Sequence, residues 1–288
     1  MRILVTNDDG IDSEGIHVLA VALADAGHDV LVVAPARDWS GAGAASGTLR
    51  PATRLDVQRA RIPDAPSLEA WALDGPPALC LVAGRLGAFG APPDLVVSGI
   101  NAGVNTGRSV LHSGTVGAAL AGQNFGISGL AVSVDAAEVW QWGSAASLAV
   151  ETLPLVIDAP RGSVLNLNVP ALPREEIAGV RWVRLAPFGA VRAAITSSGD
   201  ESLQIELHPT HYDPPEDTDQ GAIDRGWASL TAIVGVAEAW PLAPGPAAAG
   251  VDVGLELVPG AELHPVHRVP DASVAAVLVR PALGDLAG

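Results

Sequence analysis

The chain opens with Met1-Arg2-Ile3-Leu4-Val5-Thr6-Asn7-Asp8-Asp9-Gly10, an aliphatic run that ends in four turn-forming residues. The aliphatic run predicts a short buried strand, and Asn-Asp-Asp-Gly predicts a polar turn. Ser13 follows as a candidate N-cap, and apolar residues then recur at helical spacing up to Gly27. A strand, a polar turn and a helix in this order predict the start of a βαβ unit.

The same alternation continues to about residue 170. Because continuous apolar strands must be covered on both faces, it predicts an α/β fold: a Rossmann-like, mostly parallel sheet with helices on both faces. Further strands are predicted at residues 28–34, 94–98, 129–134 and 164–169, and further helices at 76–86, 115–124 and 136–153.

The sequence pattern changes after Pro170. Shorter strand-like runs alternate with loops rich in Pro, Asp and Thr, and from residue 239 the chain is rich in Ala, Pro and Gly. We therefore predict an α/β catalytic core over residues 1–170 and a smaller β-rich extension over 171–288. The runs predicted to be strands are 180–185, 202–207, 227–236 and 253–257, with a final apolar stretch at 272–279.

The composition excludes several classes of function. The 288 residues carry a net charge of −16, and all 16 basic residues are arginine. Such a chain lacks the basic surface that nucleic-acid phosphates require, so we expect no nucleic-acid partner. Without a signal-peptide pattern or an uninterrupted apolar run of spanning length, a cytoplasmic protein with no membrane partner is expected. The single cysteine, Cys80, excludes an internal disulfide and fits a buried apolar position.

Polar side chains follow three of the predicted strands. Asp8 and Asp9 follow the first strand, Ser40 lies after the second, and Asn101 and Asn105 follow the strand at 94–98. Ligands of parallel sheets bind at the carboxyl ends of the strands, so these loops are predicted to converge. Carboxylate, hydroxyl and amide oxygens suit Mg²⁺ or Mn²⁺. Taken alone, however, Asp-Asp-Gly is equally well explained as an Asx-turn that leads into a helix.

A second polar motif opens the helix predicted from Thr115. The run Ser113-Gly114-Thr115-Val116-Gly117-Ala118-Ala119 places hydroxyls and a glycine at a helix start. Backbone N–H groups at such a start favour anions. A plain N-cap explains the same pattern, so the motif alone is weak evidence for an anion site.

Taken together, these motifs resemble the SurE family of metal-dependent 5′- and 3′-nucleotidases. The similarity runs from residue 1 to about 235. Its motifs are Met1–Ile11, Gly15-Ile16, Val32-Val33-Ala34-Pro35, Trp39-Ser40-Gly41, Pro93–Asn101, Ser113–Ala119, Leu165–Pro170, Thr218-Asp219 and Trp227–Thr231.

The resemblance implies a metal-dependent hydrolysis of nucleoside monophosphates to nucleoside and phosphate, and a homodimer or homotetramer. It implies one divalent metal ion, Mg²⁺ or Mn²⁺. It leaves open whether Asp8 or Asp9 orients water, deprotonates it or attacks the phosphate directly. The implied metal ligands are Asp8, Asp9, Ser40 and Asn101, and the implied phosphate-binding residues are Asn105, Ser113, Gly114 and Thr115.

The chain also departs from the family pattern. The loop over residues 42–48 is less polar than usual and one residue longer, and His112 replaces a tyrosine that often precedes Ser-Gly-Thr. The tail after residue 237 does not resemble the usual carboxyl-terminal helix, a region that commonly builds the oligomer in the family. These departures affect the expected substrate preference and assembly, but they leave the implied metal ligands in place.

Three other functions each share some feature with this sequence. A haloacid-dehalogenase-type phosphatase needs Asp-x-Asp, but Asn7 occupies the first of those positions. A dinucleotide oxidoreductase needs Gly-x-Gly-x-x-Gly after the first strand, which is missing here. A nucleotide-binding module that has lost activity through its altered 42–48 loop remains open. Trp39, next to Ser40, is a candidate for stacking on the base.

Overall fold

A computed structural model describes residues 1–189, 191–198, 202–209 and 212–235. The strand predicted at 253–257, the apolar stretch at 272–279 and the tail after 237 lie outside these residues. Among the residues described, no helix has both the length and the apolarity needed to cross a membrane.

Nine strands of the described chain form one sheet, in the order β3-β4-β2-β1-β5-β6-β7-β11-β8. Two further strands, β9 and β10, form an antiparallel ribbon. The strands are β1 Arg2–Thr6, β2 Asp29–Pro35, β3 Val57–Arg59, β4 Glu69–Leu73, β5 Leu95–Ala102, β6 Ser128–Val134, β7 Val164–Val169, β8 Val180–Trp182, β9 Val191–Ser198, β10 Leu203–Pro209 and β11 Ala228–Ile233.

The central strands run parallel to one another, from β4 through β2, β1, β5 and β6 to β7. Only the β3–β4 and β7–β11 pairs of this sheet are antiparallel among the described residues. The prediction of a mostly parallel α/β sheet is therefore confirmed. The helices are α1 Glu14–Asp25, α2 Pro77–Arg85, α3 Gly114–Ala121, α4 Trp142–Ile157 and α5 Asp219–Ile223.

Helices cover both faces of the sheet, as the continuous apolar strands predict. Alternate residues of β1 point to opposite faces: Ile3 and Val5 pack with α1 and α4, whereas Leu4 packs with α2. Helix α3 contacts α2 and so lies on the same side as Leu4. Removing these side chains from water is the main stabilisation of the layers, roughly 25 cal/mol for each Å² of apolar surface buried.

The sheet continues beyond Pro170. Strands β8 and β11 follow that residue, and β11 pairs with β7 at the edge of the parallel region. The compact unit that contains the sheet runs from Met1 to Ile233. A core over 1–170 with an oligomerising extension over 171–288 stays a prediction, but the sheet itself draws strands from both segments.

Candidate metal and phosphate site

Four predicted site segments meet at the carboxyl edge of the sheet. Strand β1 lies between β2 and β5, so the residues that follow these strands become neighbours. The backbone N–H of Trp39 donates to the carbonyl oxygen of Asp8 at 2.8 Å. The Thr115 hydroxyl lies 2.5 Å from Asp8 Oδ1 and 3.2 Å from Asn101 Oδ1. Contacts thus join the loops after β1 and β2, the end of β5 and the start of α3.

Asn7 shapes the turn that carries the two aspartates. Its buried amide donates to the Gly10 carbonyl at 3.0 Å and to the Ser13 hydroxyl at 2.6 Å. Its Oδ1 accepts the Gly10 N–H at 3.2 Å. The turn chemistry expected of an Asx residue is therefore performed by Asn7. This leaves the carboxylates of Asp8 and Asp9 available for another role.

Asp8 is a buried carboxylate, with only 3% of its surface exposed. Burial is the main cause that raises its pKa, and repulsion from Asp38 adds to it. Hydrogen bonds from the Thr115 hydroxyl and the Gly114 backbone act in the opposite direction. Two donors of α3 therefore stabilise the charged form of Asp8, although the site around it still disfavours negative charge.

Asp9 lies in surroundings that disfavour its negative charge. Burial, followed by repulsion from Asp8 and then from Asp38, raises its pKa to about 6. Its Oδ2 is shielded from solvent and has no hydrogen-bond partner among the described residues. A buried, unpartnered carboxylate oxygen is costly unless a positive charge compensates it. Together with Asp8 and Asn101, this carboxylate supplies oxygen ligands of the kind that a hard divalent cation such as Mg²⁺ or Mn²⁺ prefers.

Asp38 is a residue of this site that the sequence reasoning missed. Its Oδ1 accepts both the backbone N–H of Ser40 at 2.7 Å and the Ser40 hydroxyl at 2.6 Å. Its charge also acts on both Asp8 and Asp9. The position two residues before Ser40 was an available signal, because aspartates commonly accept bonds from the backbone two residues ahead.

The metal ligands implied by the family comprise two carboxylates, a hydroxyl and an amide. Of these, Asp8 and Asn101 are joined through Thr115, whereas the Ser40 hydroxyl donates to Asp38. In the described chain, no three His, Cys, Asp or Glu residues form a metal-binding group. The candidate site therefore depends on mixed oxygen donors rather than on a cluster of strong ligands. The assignment of these four ligands stays a prediction.

Helix α3 begins with a capped N-terminus. The Ser113 hydroxyl caps it by accepting the Val116 N–H at 3.1 Å. A Cβ added to Gly114 would lie 2.7 Å from both Cβ and Oδ2 of Asp8, so only glycine allows this approach. Ser113 is therefore the N-cap of this helix. The contact between Gly114 and Asp8 places the helix start against the candidate metal site.

Asn105 is held apart from these contacts. Its amide donates to the Ser133 hydroxyl at 2.9 Å, and its backbone N–H donates to Asn168 Oδ1 at 2.7 Å. Its carbonyl accepts the amides of Asn166 and Asn168 at 2.9 and 3.1 Å. These bonds anchor Asn105 to β6 and β7 rather than to α3. Its phosphate-binding role stays a prediction.

Trp39 and the altered loop border the site. The Trp39 ring stacks under the Arg37 guanidinium at 4.9 Å, and its indole nitrogen is buried without a partner among the described residues. Gly43, in the loop after Ser40, donates its N–H to the His112 carbonyl at 3.1 Å. The less polar loop therefore reaches the residue directly before Ser113. Stacking of a base on Trp39 stays a prediction.

Comparison with known proteins agrees with this arrangement. The family model "Survival protein SurE" matches residues 3–189. A 5′-nucleotidase SurE of Chloroflexus aggregans is 39% identical over 254 residues, covering 81% of this chain and 92% of the relative. A 5′/3′-nucleotidase SurE of Erwinia tasmaniensis is 37% identical over 238 residues, covering 81% of this chain and 90% of the relative.

A solved structure extends the comparison to the fold. The crystal structure of the SurE protein from Aquifex aeolicus superposes with a TM-score of 0.67 at 32% identity. It covers 81% of this chain and 93% of the other. The resemblance drawn from the motifs is confirmed, and the chain belongs to the SurE family.

Proposed function

We propose that this chain is a divalent-metal-dependent phosphomonoesterase that hydrolyses nucleoside monophosphates to nucleoside and phosphate. The relatives named 5′-nucleotidase and 5′/3′-nucleotidase support the substrate class. The observation that carries the proposal is the pair of neighbouring aspartates at the end of β1, one of which has a buried oxygen without a partner among the residues that the structure describes. A cation at this oxygen and an anion at the adjacent helix start would compensate each other.

The proposed metal ligands are Asp8, Asp9, Ser40 and Asn101, and either Mg²⁺ or Mn²⁺ suits their oxygen donors. A bound cation would offset the carboxylate charge and polarise a phosphate oxygen. The chain supplies the rest of the site. Thr115 fixes Asp8 and Asn101 relative to each other through one hydroxyl. A fixed arrangement of ligands reduces the reorganisation needed when substrate binds.

The phosphate is proposed to lie at the start of α3. Ser113, Gly114 and Thr115 begin this helix, whose N-terminus favours anions. These groups and Asn105 would bind the phosphoryl oxygens and stabilise the charge that builds on them during transfer. Asp8 or Asp9 would orient the attacking water, accept its proton or attack the phosphorus. The net charge of −16 makes local compensation at this edge essential for an anionic substrate.

A substrate panel tests the proposal. Phosphate release would be measured from nucleoside 5′- and 3′-monophosphates and from p-nitrophenyl phosphate, each with Mg²⁺, Mn²⁺ or EDTA. We expect metal-dependent release from nucleoside monophosphates and none in EDTA. Release from p-nitrophenyl phosphate alone would indicate a phosphatase for other esters. Binding of Mn²⁺ and nucleotide without turnover would instead identify the chain as a binding module.

A further inference from the structure

Asp219 is a fully buried carboxylate at the first position of α5, with 0% of its surface exposed. Its Oδ2 accepts the backbone N–H of Gly107 at 2.8 Å. Its Oδ1 accepts those of Ala186 and Gln220, each at 2.8 Å. One side chain therefore joins three segments that are distant in sequence, although Asp219 entered the sequence analysis only as part of a family motif.

Capping of α5 does not explain this carboxylate. Thr218 is already the N-cap of α5, and its hydroxyl accepts the Gly221 N–H at 3.2 Å. Two of the three bonds to Asp219 come from outside the helix, from Gly107 and Ala186. Burial raises the pKa of Asp219, and only the backbone N–H groups counteract that effect. The charged form of this carboxylate is thus stabilised mainly by the backbone N–H groups of the segments that it connects.

The Gly107 segment is the chain's link between two predicted phosphate-binding groups. Gly107 lies two residues after Asn105 and begins a 3-10 helix, Gly107–His112, that is followed by Ser113. This segment packs closely against its neighbours at Thr106 and Gly107. A Cβ on Gly107 would lie 2.3 Å from the Phe188 carbonyl oxygen, and the Thr106 hydroxyl donates to Gln220 Oε1 at 2.7 Å.

The other side of Asn105 is held by β7. Asn166 and Asn168 donate their amides to the Asn105 carbonyl, and Asn168 Oδ1 accepts its N–H. Asn105 is therefore fixed from one direction by β7 and, through Thr106 and Gly107, by α5 from the other. Small displacements of a substrate-binding group cost large factors in rate or affinity, so a support of this kind has functional consequences.

We propose that Asp219 is a positioning residue for phosphate binding, whose carboxylate fixes the backbone of the segment between Asn105 and Ser113. The proposal rests on the proposed function and adds to it a support from α5, which lies after residue 170. Asp219 does not touch the substrate in this scheme. It acts through the backbone of Gly107 and through the neighbouring pair of Gln220 and Thr106.

The test is Asp219→Asn, with Asp217→Asn as the matched control. An asparagine can keep its oxygen on Ala186 and Gln220, but its amide then faces the Gly107 N–H, donor against donor. Asp217→Asn makes the same chemical change two residues away, where the exposed side chain pairs with Arg184 at 2.8 Å. Four quantities would be measured: the Kd of inorganic phosphate with Mn²⁺ present, the KM for AMP, the Kd of Mn²⁺ and the Tm.

We expect Asp219→Asn to raise the phosphate Kd and the KM by about tenfold, because the displaced segment carries Asn105. The Mn²⁺ Kd should stay within about twofold, since no metal ligand lies on this segment. Asp217→Asn should match the wild type in all four measurements. A variant with a lower Tm but wild-type phosphate Kd and KM would overturn the proposal, because Asp219 would then be purely structural.

A second variant covers the case in which Asp219→Asn does not fold. Thr106→Val removes only the hydroxyl that donates to Gln220 in the same clamp, and we expect a rise of about threefold in the phosphate Kd. An unchanged phosphate Kd in this variant would overturn the proposal. If the wild type releases no phosphate but Asp219→Asn still weakens phosphate binding, the enzymatic function fails while the positioning role stands.

Discussion

Two properties of Asp9 both disfavour its charged form. It is a partly buried carboxylate, and its nearest charged neighbours, Asp8 and Asp38, are also acidic. Its pKa is therefore raised from 3.8 to about 6. Because the folded protein binds this proton more tightly than the unfolded chain, Asp9 stabilises the fold below about pH 4. That contribution is lost as the pH rises through about 6.

This titration predicts a pH-dependent affinity for the metal. A cation must displace the proton of Asp9, and the pKa of Asp8 is raised as well. The Mn²⁺ Kd should therefore rise by at least about tenfold for each pH unit below 6 and level off above it. Calorimetry between pH 5 and 8 would measure this, with Asp9→Asn as the control. A Kd independent of pH would contradict the role of Asp9 as a ligand.

Asp38 should affect the metal through Ser40. Its carboxylate holds the Ser40 hydroxyl proton, which leaves the oxygen lone pairs of that hydroxyl available to a cation. Asp38→Ala is expected to raise the Mn²⁺ Kd by about tenfold. Asp74→Ala is the matched control, because Asp74 is an exposed aspartate that pairs with Arg37. Equal affinities for the two variants would refute the role of Asp38.

At the scale of single residues, the sequence identified candidate ligand residues better than it identified their hydrogen-bond partners. Asp8 and Asp9 could be selected because adjacent carboxylates at a strand end are conspicuous. Asn7 looked like one more turn residue, yet it shapes the turn so that neither aspartate has to. Asp219 could not be assigned a role, because its partners Gly107 and Ala186 lie 112 and 33 residues away.

Helix α3 is the element whose position matters most for the proposed chemistry. Gly114 lies so close to Asp8 that a methyl group would have to displace the carboxylate. Gly114→Ala is therefore expected to lower kcat/KM by about a hundredfold, because Asp8 would move away from Thr115. Gly143→Ala is the matched control, since a Cβ there meets nothing within 4 Å. Wild-type activity in Gly114→Ala would show that Asp8 does not depend on this contact.

The elements differ in how well their patterns predicted them. Strand β7 begins and ends where it was predicted, at Val164 and Val169, because aliphatic residues occupy both of its ends and most of its length. The strands β3 and β4 were missed, since they are short and lie between polar loops. The helix predicted from residue 136 begins only at Trp142, in α4. Strand β9 was also missed, because it is stabilised by its pairing with β10, which the residues of β9 alone do not indicate.

On the scale of the whole molecule, the β9–β10 ribbon presents an apolar surface. Ile195 and Ile205 are paired across the two strands, and they are 66% and 58% exposed in the single chain. Exposed apolar side chains on an antiparallel ribbon are typical of surfaces that another chain covers. The homodimer or homotetramer expected from the family resemblance would give this ribbon a partner.

The assembly can be tested by light scattering. The wild type should have two or four times the chain mass of 29.2 kDa. Ile205→Asp should lower that mass, because it places a charge in the surface that is expected to be covered. Leu86→Asp is the control, since Leu86 is 75% exposed at the end of α2. A wild-type monomer would contradict the expected assembly, and an unchanged mass in Ile205→Asp would remove the ribbon from its interface.

The fold as a whole could be predicted because its signals are local. Apolar strands alternating with helices predict a parallel sheet, and a parallel sheet places the loops after β1, β2 and β5 at one edge. The division at residue 170 was less secure, because the pairing of β11 with β7 depends on contacts across more than 60 residues. Prediction of the site is limited for the same reason, because the bonds that α5 makes to it come from residues after 170.

The most direct test of the central claim is phosphate release from AMP as a function of added Mn²⁺, after dialysis against EDTA, for wild type and Asp9→Asn. The account predicts no turnover in the dialysed wild type, saturable recovery with Mn²⁺, and turnover lower by about a thousandfold in the variant at every concentration. Full activity in EDTA, or equal recovery of the two proteins, would contradict a metal-dependent nucleotidase centred on Asp9.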